Sequence, residues 1–267
     1  MNNRLLVAII LVPIGAGVIY LGGPVFLICA SLVVGVAAWE YDRLVRTAGL
    51  CPAEWLVIGG SVALAVTRGL FQFNGAAALL SLLILLAMTH HLLSFERGRE
   101  RAATDFGATM AGIMYLGWIG SYLVSLRSLP DGLWWVLLAL PVVWIADAGA
   151  MVVGLRWGRH AFAPRLSPKK TWEGYFGGVA SGTLAGALLG ALWGLVTPQL
   201  NPGTGLLFGL VLSALTPLGD LGESMIKRQV AAKDSSQILP GHGGIFDRID
   251  SWLWAGVLGY YLAVILH

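Results

Sequence analysis

Apolar residues run along this chain in long blocks separated by shorter polar gaps. Crossing a bilayer as a helix takes about 20 mostly apolar residues. The blocks at 4–21, 24–40, 55–72, 75–94, 106–127, 132–155, 174–196, 204–226 and 251–266 meet that requirement. The pattern therefore predicts an all-α, polytopic transmembrane protein of about nine spans. Pro13 and Pro141 fall inside blocks and are expected to bend them. The first block follows one Arg, as in a signal peptide. Many apolar blocks come after it with no clear cleavage box, so it reads as a retained span. The longest polar connections are Arg156–Glu173 and Lys227–Asp250.

Nine spans place the N-terminus and every second connection on one side. That side holds 15 of the 17 Lys and Arg residues, and only Arg68 and Arg127 fall on the other. Cations collect in cytoplasmic loops, so the N-terminus is expected in the cytoplasm and His267 outside. Composition agrees with this class. Charged residues are 12% of the chain, against about 25% in soluble domains, and 57% are hydrophobic. Abundant Trp and Tyr suit the lipid–water interface, and 36 Gly suit close helix packing. Cys29 and Cys51 lack CxxC spacing and read as inert small residues.

Acids inside spans cost roughly 2.5–3.5 kcal/mol on insertion scales and usually have a use. Asp147 lies nine residues before Arg156, and Asp220 seven before Lys227. At 1.5 Å per residue, they sit about 13 and 10 Å below the cytoplasmic end. The similar depth allows a shared pocket, while a plain helix–helix hydrogen bond would also account for each. Asp220, Glu223 and Lys227 follow i, i+3, i+7 and share a helix face, although an ordinary Glu223–Lys227 ion pair has the same spacing. Next comes Pro240-Gly241-His242-Gly243-Gly244, which cannot be regular helix and exposes backbone N–H groups suited to phosphate. Asp247 and Asp250 then open the last span, where either can cap the helix. Ser167-Pro-Lys-Lys170-Thr-Trp-Glu-Gly174 carries lysines and hydroxyls beside a helix start, fitting either phosphate or a positive membrane anchor. Carboxylates without a His or Cys cluster favour a hard cation, Mg²⁺ first. His90 and His91 read as interfacial and His160 as a loop residue.

The 27 residues from Ser224 to Asp250 read Ser224-x-Ile-Lys227-Arg228-x4-Lys233-Asp234-x-Ser236-x2-Leu239-Pro240-x-His242-Gly243-Gly244-Ile245-x-Asp247-Arg248-Ile249-Asp250. This stretch resembles the signature of phosphatidate cytidylyltransferases, or CDP-diacylglycerol synthases. Trp144-Ile-Ala-Asp147-Ala-Gly149 to Gly154 and Ser167 to Gly174 resemble further segments of that family, with Met151 and Val152 where an aromatic is usual. The resemblance is good over 140–267, while the first spans match only as apolar helices.

The resemblance implies a bacterial inner-membrane enzyme with its active site facing the cytoplasm. It would convert CTP and phosphatidic acid to CDP-diacylglycerol and pyrophosphate. Asp220, Lys227 and Asp247 are the implied catalytic centre, with Asp220 and Asp247 the leading Mg²⁺ ligands. Asp147, Asp234 and Asp250 match further acidic positions, which leaves room for two metals. Ser167, Lys170, Ser224, Arg228, Lys233, His242, Gly243, Gly244 and Arg248 are the expected substrate contacts. Residues 1–267 read as one integral membrane domain, with 1–130 supplying N-terminal helices and 131–267 the catalytic helices and loops. The bilayer is the expected partner besides the substrates, nucleic acid is not, and a homodimer is left open. The competing readings are a CTP-dependent lipid kinase, another lipid cytidylyltransferase, and an ion-coupled transporter. The transporter is disfavoured by the lack of repeats and of midplane polar groups.

Overall fold

The structure is a computed structural model that describes residues 3–236, 238 and 243–266, with side chains from Val12 onward. Its elements in chain order are α1 (Asn3–Leu21), α2 (Gly23–Arg46), α3 (Glu54–Phe71), α4 (Phe73–Glu96) and α5 (Ala102–Gly112). A π-helical stretch, Ile113–Ile119, follows, then α6 (Tyr122–Arg127), α7 (Gly132–Trp157), β1 (Ala161–Ala163) and β2 (Ser167–Thr171). The chain ends with α8 (Trp172–Trp193), α9 (Pro202–Leu215), α10 (Pro217–Gln229) and α11 (Phe246–Leu266).

Among the described residues, eight helical segments are long and apolar enough to cross a membrane, and they correspond to the second to ninth expected spans. Two of these spans are composite: 102–127 contains the π-helical stretch, and 202–229 is divided at Thr216. The first expected span is also helical, as α1. The chain is thus an all-α polytopic membrane protein. Helices α1 and α7 continue through Pro13 and Pro141. The connection expected to be merely polar contains an antiparallel hairpin, with Ala161 opposite Thr171 and Ala163 opposite Ser167.

Local chemistry sets the helix ends. Asn201 accepts from the Gly203 and Thr204 N–H groups and completes a reciprocal cap with Thr204, while Pro202 occupies the first turn of α9. Thr171 caps α8 by accepting from the Gly174 N–H.

The chain forms two compact units, residues 1–125 with 226–249, and residues 126–225 with 250–267. In the first, α3, α4 and the 102–125 segment pack around Leu56, Leu64, Leu83 and Ile113, and α2 packs against α3. Arg68 is fully buried there: its Nε donates to Ser125 Oγ, and its guanidinium lies 3.4 Å from the Phe73 ring centre and 4.2 Å from that of Tyr122. Aromatic faces thus replace part of the water that a membrane cation loses.

In the second unit, α8 inverts the usual pattern. It buries Gly174, Gly178, Gly182, Gly186 and Gly190 and exposes Phe176, Leu184, Leu188 and Leu192. In lipid the large apolar side chains have no reason to turn inward, so small residues take the helix contacts. A Cβ on Gly186 would lie 2.2 Å from the Gly205 carbonyl oxygen of α9, and one on Gly205 would lie 2.1 Å from that of Gly186. Gly186→Ala therefore forces two backbones apart. We expect it to destabilise the protein by about 1–3 kcal/mol, read as a lower thermal midpoint in detergent. Gly59→Ala, with open space around the new methyl, should leave the midpoint unchanged. Equal midpoints for the two variants would contradict the packing described.

Candidate functional site

The second unit carries an acidic group. A Cβ on Gly219 would lie 2.5 Å from the Asp250 carbonyl oxygen, so α10 and the part of α11 in this unit meet backbone to backbone. That approach gathers one carboxylate oxygen each from Asp220, Glu223 and Asp250 within 4.8 Å of one another. Glu223 is 1% exposed, and Asp250 is also buried. Lys170, delivered by β2, donates from Nζ to Asp220 Oδ2 at 2.5 Å, and Ser224 Oγ donates to Asp220 Oδ1 at 3.3 Å. Asp147 of α7 lies close enough to interact electrostatically with Asp220 and Lys170. Ser167 pairs through its backbone at the start of β2.

Three carboxylates lie together with a fourth acid nearby, and the Lys170 ammonium pairs with one of them. Like charges this close disfavour joint ionisation unless a cation joins them. The donors are all carboxylate oxygens, the chemistry a hard divalent ion takes. The group contains Asp220 and Asp250 from the expected ligands and adds Glu223, while Asp234 and Asp247 belong to the other unit.

The first unit carries a different arrangement. Lys227 of α10 donates from Nζ to Asp247 Oδ1 at 2.5 Å, with both side chains largely buried. Asp247 Oδ2 accepts from the Ser235 N–H at 2.9 Å, the Ser235 hydroxyl at 2.8 Å and the Gly244 N–H at 2.7 Å. The two glycines are needed for different reasons. Gly243 has φ +79°, a left-handed conformation favouring glycine. A side chain on Gly244 would meet Ser235 Oγ at 2.1 Å and Glu40 oxygens at 2.6 Å. Of the expected substrate contacts in this unit, Lys233, Arg228 and Arg248 are exposed, as is Asp234. Arg228 Nη1 donates to the Ala232 carbonyl at 3.4 Å. Pro240, Gly241 and His242 lie outside the described residues.

Glu40 belongs to this arrangement and escaped the sequence reading, which ended span two at that residue. Helix α2 runs on to Arg46, so Glu40 lies well inside it and is fully buried. Its Oε1 accepts from Ser236 Oγ at 2.5 Å and the Ile245 N–H at 3.0 Å, and its Oε2 from the Phe246 N–H at 2.7 Å. Ser235 Oγ lies 3.2 Å from Glu40 Oε2 and 2.8 Å from Asp247 Oδ2, so its single proton is shared between the two carboxylates. The signal available was an acid at the very end of an apolar block, weaker than the acids inside blocks that marked Asp147 and Asp220.

The cytidylyltransferase family model matches residues 2–266. Three similar proteins bear the name phosphatidate cytidylyltransferase. The one from Synechocystis sp. is 33% identical, covering 99% of this chain and 97% of its own length. The one from Pseudomonas aeruginosa is 37% identical over 94% and 92%, and that from Staphylococcus haemolyticus 34% over 95% of each. The likeness therefore extends through the N-terminal helices as well as the motif-bearing region, and the chain belongs to the cytidylyltransferase family.

Proposed function

We propose that this chain transfers the cytidylyl group of CTP to phosphatidic acid, giving CDP-diacylglycerol and pyrophosphate for phospholipid synthesis. The observation that carries this reading is the near-full-length likeness to proteins named phosphatidate cytidylyltransferase. The buried carboxylate group supports it. The cation asymmetry of the connections supports a bacterial inner-membrane location with the site facing the cytoplasm.

In this reaction an oxygen of the phosphatidate phosphate attacks the α-phosphorus of CTP. A new P–O–P linkage forms, and the bond from the α-phosphorus to the bridging oxygen breaks. Pyrophosphate leaves with the electron pair of that bond. The nucleophile is already anionic at neutral pH, so no strong base is required. The obstacles are repulsion between two anions and charge on the departing pyrophosphate. Asp220, Glu223 and Asp250 would hold Mg²⁺, with Asp147 near Asp220 as a candidate ligand for a second ion. A divalent ion there, when bound, neutralises phosphate charge and stabilises the leaving group. Lys170 can turn from Asp220 toward a phosphate once cations balance the acids. Ser167 and Ser224 are assigned to substrate contacts in the same unit.

In the other unit, Asp247 orients Lys227 and holds the Ser235 and Gly244 backbone. Lys227 contributes positive charge, and Arg228, Lys233 and Arg248 are assigned to phosphates of CTP or phosphatidate. His242, Gly243 and Gly244 complete the proposed contacts.

Purified protein with Mg²⁺ and phosphatidate should move label from the α-phosphate of CTP into lipid, while γ-label leaves as pyrophosphate. A lipid kinase would transfer the γ-label instead, and a transporter neither. Lipid carrying γ-label without α-label would overturn the assignment.

Asp220→Asn and Glu223→Gln should each lower kcat/KM for CTP by at least about 100-fold, near 2.7 kcal/mol, with insertion intact. Excess chelator should silence the wild type and Mg²⁺ restore it. Near-normal turnover of Glu223→Gln would remove it from the proposed ligand set.

Reporters fused at His267 and within the Arg97–Arg101 connection should report opposite sides of the membrane, the second in the cytoplasm. Signals from one side only would contradict the proposed orientation.

A further inference from the structure

We infer that Glu40 is a positioning residue for cytidylyl transfer, the buried acceptor on which both ends of the 237–244 connection are fixed. The inference rests on the reading above for the reaction itself. Its geometry is independent of that reading. On the N-terminal end of the connection, Glu40 holds the Ser235 and Ser236 hydroxyls. On the C-terminal end it holds the Ile245 and Phe246 N–H groups at the start of α11. A side chain from the second helix thus closes a connection nearly 200 residues away in sequence.

Three features make this more than a buried polar group that found partners. First, both carboxylate oxygens accept a backbone N–H, Oε1 from Ile245 and Oε2 from Phe246. An amide has only one acceptor oxygen, so either orientation of a glutamine turns its NH₂ toward an N–H. Second, the start of α11 presents N–H groups that lack intrahelical acceptors, where a carboxylate is favoured. The Phe246 ring is fixed as well, edge-on to Tyr41 and Tyr115. Third, the Ser235 hydroxyl sits between Glu40 and Asp247 and shares its one proton with both, and Asp247 holds Lys227. By fixing Ser235, Ser236 and the start of α11, Glu40 would set where the Asp247 carboxylate and the Lys227 ammonium stand, without needing to touch a substrate itself. A misplacement of about 1 Å at such groups can cost on the order of 100-fold in rate.

The test compares wild type, Glu40→Gln and Ser236→Ala in lipid nanodiscs with Mg²⁺, with exposed Glu100→Gln as a handling control. Rates are taken per mole of monodisperse protein, and hydrogen–deuterium exchange is followed in peptides covering 243–249. Glu40→Gln should lower kcat by roughly tenfold or more. The KM for phosphatidate should stay within about threefold of the wild-type value, marking a loss of transition-state rather than ground-state binding. Exchange at 243–249 should rise. A purely structural role would reduce the yield of folded protein and leave kcat per folded molecule unchanged, and that result would overturn the inference. If Glu40→Gln does not fold, Ser236→Ala decides, since it removes one donor and leaves the carboxylate in place. A fall in kcat with faster exchange supports the inference, and wild-type values for both overturn it. Should the wild type itself fail to transfer α-label, the reading of the reaction fails separately. The exchange data then judge the anchoring alone, and unchanged exchange in both variants would sink it.

Discussion

The carboxylates of Asp220, Glu223 and Asp250 lie within 4.8 Å of one another near the ends of apolar helices. Removing even one charge from water into such surroundings is expensive, and placing like charges together adds repulsion. A fold bears this arrangement only if something returns the free energy, as a positive charge beside the acids does. Lys170 supplies one such charge from the hairpin. The second unit is built to make the meeting close. Gly219 lets α10 touch the α11 backbone, and β1 and β2 stiffen the segment that carries Lys170 inward. The inverted polarity of α8 frees this core from large side chains.

The first unit solves a different problem by different means. Irregular backbone has N–H groups that must be satisfied when buried, and no regular ladder satisfies them. Two carboxylates do this work, each accepting several donors from the stretch around Ser235, Gly244 and Phe246. Side-chain acceptors therefore take the part that a sheet or helix would otherwise play. They also impose the Gly243-Gly244 pair, one residue for its dihedral angle and the other for lack of space.

Much of the fold was legible from hydrophobic blocks, because a span is a property of some 20 residues together and tolerates local error. The expected 132–155 and the observed Gly132–Trp157 differ by two residues, and 204–226 against 202–229 by a few. What escaped depends on hydrogen-bond register rather than average polarity. The π-helical Ile113–Ile119 is as apolar as an α-helix would be. The hairpin carries Pro164, Pro168 and two lysines, so its five- and three-residue strands show no alternation. Among the site residues, Asp220 stood out by depth and by motif and Asp250 by motif, and the structure places their carboxylates beside that of Glu223. Glu223 looked like one half of an ordinary i, i+4 pair, and nothing in its spacing showed that it would be buried beside two other acids. Glu40 was hidden by a boundary, since hydropathy falls at the Glu-Tyr-Asp-Arg run while the helix does not end there. Arg68 counted only as a cation on the far side, and the Phe73, Trp118 and Tyr122 rings had to come together before it could be buried.

The glycine seam of α8 and α9 has one more consequence. Side-chain rotamers are what usually give a helix interface its slack, because a leucine or methionine can swing aside and back within nanoseconds. Gly186 and Gly205 have none, and their backbones are already in contact. Such a joint cannot breathe by small steps. It is either shut or separated along its whole length. A lipid with two acyl chains cannot thread a joint of that kind, so any lateral doorway has to open where helices meet through bulky, movable residues.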